Sequence, residues 1–138
     1  MSDDPLALPQ VSEPRLMTRL EALAAQLGEV VSASRSPVPA QIIACARVAA
    51  PLFLSGRHDA ARSLLRHIEA AGPSVASAPM VRARIFETLA IGAFCESDPG
   101  AAIAHSAEAI RSFAEVGDLR AQAVLESNTG VALASIGA

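Results

Sequence analysis

Apolar residues recur along this chain in helix-length runs, each closed by a tight turn. Three runs end alike, at Leu52-Phe53-Leu54-Ser55-Gly56, Phe94-Cys95-Glu96-Ser97-Asp98 and Leu133-Ala134-Ser135-Ile136-Gly137. The turn residues Gly56, Asp98 and Gly137 lie 42 and 39 residues apart. After the first two turns another apolar run begins. A recurring helix–turn–helix unit at such a period predicts an α-solenoid, which buries its core only by stacking unit on unit.

The element boundaries follow from local signals. Residues 1–13 are acidic and broken by Pro5 and Pro9, so a loosely held arm is expected there. Pro14 suits the first turn of a leading helix over 14–34, where its missing N–H costs nothing. Leu16, Leu20, Leu23, Leu27 and Val30 give that helix a heptad-like stripe. Two readings stand for it: the stripe docks on the body of its own domain, or it forms a seam between two copies. Pro37 and Pro39 end a Ser/Pro linker, and a second helix runs from near Pro39 to Gly56, with Pro51 expected to kink its last turn.

A third helix starts near Asp59, presents Ala61, Leu64, Leu65 and Ile68, and stops at Gly72-Pro73. The fourth runs from Pro79 to about Ser97. Asp98-Pro99 is the clearest start signal, an N-cap followed by proline at the first helical position. Ile103, Ala107, Ile110 and Phe113 give the fifth helix one face, and Gly117-Asp118 separates it from a sixth over Leu119–Ile136. No run alternates Val, Ile or Thr between turn pairs, so the expectation is all-α with short connections and antiparallel neighbours.

The spacing then resembles the tetratricopeptide repeat, a unit of about 34 residues with the pattern W-x2-L-G-x2-Y, A-x3-F and a closing Pro. Over residues 40–73, Cys45, Val48, Ala49 and Leu52 fall on first-helix positions, Gly56 on the turn, Ala61 and Leu65 on the second helix, and Pro73 on the closing proline. Thr88, Ile91, Gly92 and Cys95 open a second unit over 79–117, and Glu126, Thr129, Gly130 and Leu133 a third over 118–138. The large aromatic columns hold Cys, Thr, Glu and Leu instead, and the second period is longer than 34. The resemblance is to the divergent bacterial type. It implies a right-handed α-solenoid of antiparallel helix pairs and a glycine column, Gly92 and Gly130, where helices cross with no room for a β-carbon.

The resemblance also implies a concave groove lined by first helices. Carried over in register, its lining is Ile43, Ala46, Ala50 and Phe53, then Phe86, Leu89 and Ala93, then Val124, Ser127 and Val131. The alternative is that these are ordinary core residues. The family members that clamp a terminal carboxylate use Lys in the groove, and this chain has none. The expected role is a non-catalytic adaptor or scaffold holding a peptide or helix of a protein partner. Its alternative is a self-associating structural or regulatory domain, joined through Leu16, Leu20, Leu23 and Leu27 or through the C-terminal end. The 118–138 segment reads either as a capping helix or as part of a longer array.

Composition narrows the classes. At 138 residues the chain fits one domain that needs no metal or disulfide staple. Alanine supplies 30 residues, which favours helix, and aromatics are only 3%, so the core is aliphatic. All 11 basic residues are Arg, net charge is -3 and the signs are mixed, so no basic stripe suits a nucleic-acid backbone. No charge-free, proline-free apolar run of membrane-spanning length occurs, and the N-terminus has no signal-peptide pattern.

Cys45 and Cys95 lie in apolar runs and read as buried thiols, which with the missing signal points to the cytoplasm. His58, His67 and His105 show no metal-ligand spacing. His58 reads as a solvated turn residue, His67 as a dipole partner near a helix end, and His105 as a polar-face neighbour of Glu108. Neither a phosphate-binding loop nor a G-x-S-x-G elbow is present. No enzyme activity, cofactor or metal is expected.

Overall fold

The computed structural model describes residues 13–34, 38–70 and 78–137. The expected arm, the linker residues 35–37 and the Gly72-Pro73 stop fall wholly or almost wholly outside that set. Six α-helices span the described residues, with no strand among them. They are α1 (Glu13–Ala33), α2 (Pro39–Leu54), α3 (His58–Ala70), α4 (Pro79–Cys95), α5 (Pro99–Val116) and α6 (Leu119–Ser135).

The punctuation residues act as their chemistry dictates. Pro39, Pro79 and Pro99 each occupy the first turn of a helix. The Gln41 carboxamide accepts a bond from the Val38 N–H at 3.0 Å, satisfying a donor that α2 leaves open. Asp98 and Asp118 cap α5 and α6, accepting from the N–H groups of Ala101 and Ala121 at 3.1 and 3.0 Å. Asp98 is therefore the start of α5 rather than the turn residue aligned with Gly56 and Gly137. The left-handed residue of that turn is Ser97, with φ 59°. Gly56, Ser97 and Gly137 all have positive φ, at near-equal intervals of 41 and 40 residues (56 to 97, 97 to 137).

The helices pack in a chain of neighbours. α1 lies on α2 and α3, α2 on α3 and α4, α4 on α5, and α5 on α6. One core cluster joins Ile42, Leu52 and Phe53 of α2 to Leu64 and Ile68 of α3, Val31 of α1 and Val81 of α4. A second joins Ala83 of α4, Ala109 and Phe113 of α5, and Leu125 of α6. Each large side chain buried here stabilises the fold by roughly 1.5–3 kcal/mol relative to exposure. Thr88 links the layers: its buried hydroxyl donates to the Ala46 carbonyl of α2 at 3.2 Å.

The two glycine-column positions differ. A β-carbon on Gly92 would meet the Phe53 ring at 2.8 Å, so this is a close crossing of α2 and α4. A β-carbon on Gly130 would meet nothing within 4 Å, and the residue is exposed. The expectation of a crossing at Gly130 is corrected, because among the described residues nothing lies over that face of α6. A further crossing occurs at Gly28 of α1, where a β-carbon would lie 2.6 Å from the His67 ring. Ser32 Oγ and His67 Nδ1 share a hydrogen bond of 2.6 Å beside it, so His67 fastens α1 to α3.

The leucine stripe of α1 splits. Leu20 and Leu27 pack on the core together with buried Ala24 and Val31, whereas Leu16, Leu23 and Val30 stay exposed. A straight helix turns about 20° per heptad relative to a seven-residue row. Its docked edge therefore takes in Ala24 and Val31 and leaves the outer row in solvent.

Candidate functional site

An apolar opening lies between α4 and α6, over α5. Its floor is made of small or fully buried side chains: Ala90 of α4, Ala102 and Ser106 of α5, and Leu125 and Ala132 of α6. Alanine and serine at these positions leave the floor low. Ile91, Phe94 and Leu54, the last residue of α2, form the wall and mouth, with Asn128 opposite. Leu54 is 69% exposed and Phe94 49%. Both precede a tight turn, where the helix ends and the other described residues leave them exposed. The cavity volume is about 200 Å³. That is below the roughly 300–1,000 Å³ usual for small-molecule pockets. It suits one or two apolar side chains presented by another polypeptide.

The residues expected to line a groove are dispersed. Phe53 is 2% exposed, a core residue pressed on Gly92. Ile43 packs against the first core cluster and Phe86 against the second, where its ring lies 6.0 Å from that of His105. Leu89 and Ala93 line a separate recess with Arg62, Leu65 and Glu96. At roughly 3.6 residues per turn these two positions lie on a different edge of α4 from Ile91 and Phe94. Val124 and Val131 are exposed on α6, at 52% and 54%. The expected positions thus lie on another edge of α4 than the one that lines this opening. Ala90, Ile91 and Phe94 sit next to the expected positions, and the signal that could have found them is Phe94, a large apolar side chain immediately before a turn.

The recess around Glu96 carries the strongest electrostatics. Arg62 Nε donates to Glu96 Oε1 at 2.8 Å and its Nη2 to Oε2. This fork holds the Glu96 carboxyl below the usual carboxylate range and raises the Arg62 guanidinium. His58 adds a contact at 3.9 Å from its Nδ1 to Glu96, and its ring lies 5.9 Å from Phe53. It is half-buried rather than a solvated turn residue. Glu108 pairs with Arg111, not with His105.

These groups are committed to structural bonds. Glu96 ties α3 to the end of α4, and Asp98 is engaged as a cap. Burial pushes both the Cys45 and Cys95 thiols up, and for Cys95 the neighbouring Glu96 adds to this, so neither has the lowered value of a nucleophile. Among the described residues no group of three or more His, Cys, Asp or Glu is placed to hold a metal ion. No helix among them is long and apolar enough to cross a membrane.

Comparison with known proteins returns no matching family model, no similar curated protein and no similar solved structure.

Proposed function

We propose that this chain is a non-catalytic protein-interaction module, a tetratricopeptide-repeat-like array whose apolar cleft holds a helix or peptide of a protein partner. The observation that carries the reading is the cleft: a low, buried floor of alanine, serine and leucine beneath exposed Leu54 and Phe94. Monomeric proteins seldom leave large contiguous apolar patches open. The repeat reading is supported by the left-handed residues that follow α2, α4 and α6 at near-equal intervals and by the succession of neighbouring helices. A cytoplasmic setting belongs to the proposal and rests on Cys45 and Cys95 as free thiols.

Photo-crosslinking in cells tests it. A photoreactive residue replaces Phe94 at the mouth, or Leu119, which is 76% exposed and outside the cleft. Discrete protein adducts are expected from position 94 and not from 119. Equal labelling at both, or none at 94, refutes the reading.

A second reading, self-association, is favoured by the outer row of α1. Leu16, Leu23 and Val30 are exposed at heptad spacing.

A further inference from the structure

The positive-φ residues Gly56, Ser97 and Gly137 are fixed points from which α2, α4 and α6 can be laid in register. Fourteen, eleven, seven and four positions before them stand Ile42, Cys45, Ala49 and Leu52 on α2, and Ala83, Phe86, Ala90 and Ala93 on α4. On α6 the same places hold Ala123, Glu126, Gly130 and Leu133. Counted this way, Gly130 corresponds to Ala90 rather than to Gly92. Steps of three and four keep each set on one helix face. The α2 set is wholly buried, and of the α4 set only Phe86 is partly exposed. All four on α6 are exposed. They lie across α6 from Leu125 and Ala132, so this surface is separate from the cleft.

The helices that follow the first two turns show what such a face takes. α3 packs on α2, and α5 on α4. Five, nine and twelve positions after Gly56 come Ala61, Leu65 and Ile68, and after Ser97 come Ala102, Ser106 and Ala109. All six are buried. Ala49 and Ala90 on one side, with Ala61 and Ala102 on the other, are small, which lets paired helices approach closely. Gly130 keeps that place small on α6.

Charge adds a further requirement. His105 of α5, three positions after Ala102, sets its ring 6.0 Å from that of Phe86. On α6 the place of Phe86 is taken by Glu126, which has no ion pair among the described residues. A helix lying on α6 as α5 lies on α4 brings its own residue in the place of His105 against that carboxylate. Arginine there would form a charge-assisted pair.

We propose that the Ala123–Leu133 face of α6 binds a basic amphipathic helix of a partner protein, seated as α3 is on α2 and α5 on α4. That helix carries alanine near its start, an arginine three positions on, opposite Glu126, and apolar residues four and seven positions on.

A fluorescein-labelled synthetic peptide copying residues 98–116 with His105→Arg tests it, titrated with the full chain and read by anisotropy. Saturable binding is expected, with a dissociation constant on the order of 100 µM or below. A β-carbon at Gly130 meets nothing, so Gly130→Leu leaves folding intact while filling the place of close approach. It should weaken binding at least about tenfold. Glu126→Arg should weaken it about fivefold, and a peptide with His105→Glu should recover that loss on the Glu126→Arg chain. Val131→Arg, on another side of α6, should change nothing.

A peptide that binds wild type and Gly130→Leu alike is exchanging with α5 in its own place, and overturns the proposal. So does the lack of saturable binding up to about 1 mM. A wild-type dimer in sedimentation that Gly130→Leu dissociates makes a second copy the occupant and overturns the partner helix. Adducts from position 94 report on the cleft separately, so failure here and failure of the cleft reading are told apart.

Discussion

Gly92→Ala inserts one methyl group where α4 crosses α2, and the structure sets the outcome. The new carbon would stand 2.8, 2.9 and 3.0 Å from three atoms of the Phe53 ring. Phe53 is buried and has the His58 ring beside it at 5.9 Å, so it has little room to swing away. Overpacking of this kind costs about 1–3 kcal/mol. Replacing glycine by alanine within a helix returns about 1 kcal/mol. The net expectation is a loss of up to about 2 kcal/mol. Gly130→Ala serves as the control, since its new carbon meets nothing and only the propensity gain of about 1 kcal/mol remains. At this chain length 1 kcal/mol moves the melting temperature by about 3–5 °C. Thermal melts followed by circular dichroism should therefore move in opposite directions for the two substitutions. Adding Phe53→Leu to Gly92→Ala should cost less than the two single losses together, the sign of direct coupling. A Gly92→Ala chain that melts as high as Gly130→Ala would refute the crossing.

Phe53→Ala should cost about 3–5 kcal/mol in urea unfolding, as a core residue, whereas Phe94→Ala should change the midpoint little. The Glu96 carboxyl is depressed by Arg62, so its contribution is full above the unfolded carboxylate range and fades as pH falls through its lowered folded value. Glu96→Gln should be less stable than wild type at neutral pH by no more than about 1 kcal/mol, because the pair is half-exposed and screened. The two should converge in acid, and a pH-independent difference in urea midpoints would contradict the pairing. Cys45 should resist alkylation until the chain unfolds, while Cys95 reacts earlier, as mass spectrometry of timed iodoacetamide reactions would show.

The six helices were legible because their ends are chemical. Proline at the first turn, aspartate as cap and glycine at a left-handed turn act locally, and each lies where the chain spells it. The faces were harder. Phe53 and Phe94 are the same residue type, each near a helix end, yet one is core and the other lies at the cleft mouth. Which of them is buried depends on how α4 is rotated against α2, and that is set by Gly92 and Thr88 packing across the chain. Likewise Gly92 and Gly130 read as equivalent columns in the sequence, but among the described residues a β-carbon would meet a neighbour at Gly92 and none at Gly130. His67 read as a helix-end charge because its partners, Ser32 and Gly28, are more than thirty positions away.

The succession of neighbouring helices has a kinetic consequence. Most contacts join helices adjacent or nearly adjacent along the chain, so few require closing a long loop. Chains with such local contacts fold in microseconds to milliseconds. The same geometry lets the molecule open piecewise. Among the described residues α6 leans chiefly on α5, and α1 chiefly on α2 and α3, so the last of these helices can detach while the first remains docked. Amide hydrogens of α6 should thus exchange for deuterium through a shallow local opening, whereas those around Leu52 and Leu64 should wait for unfolding of the whole. A surface that loosens on its own can be offered and withdrawn without disturbing the rest of the chain.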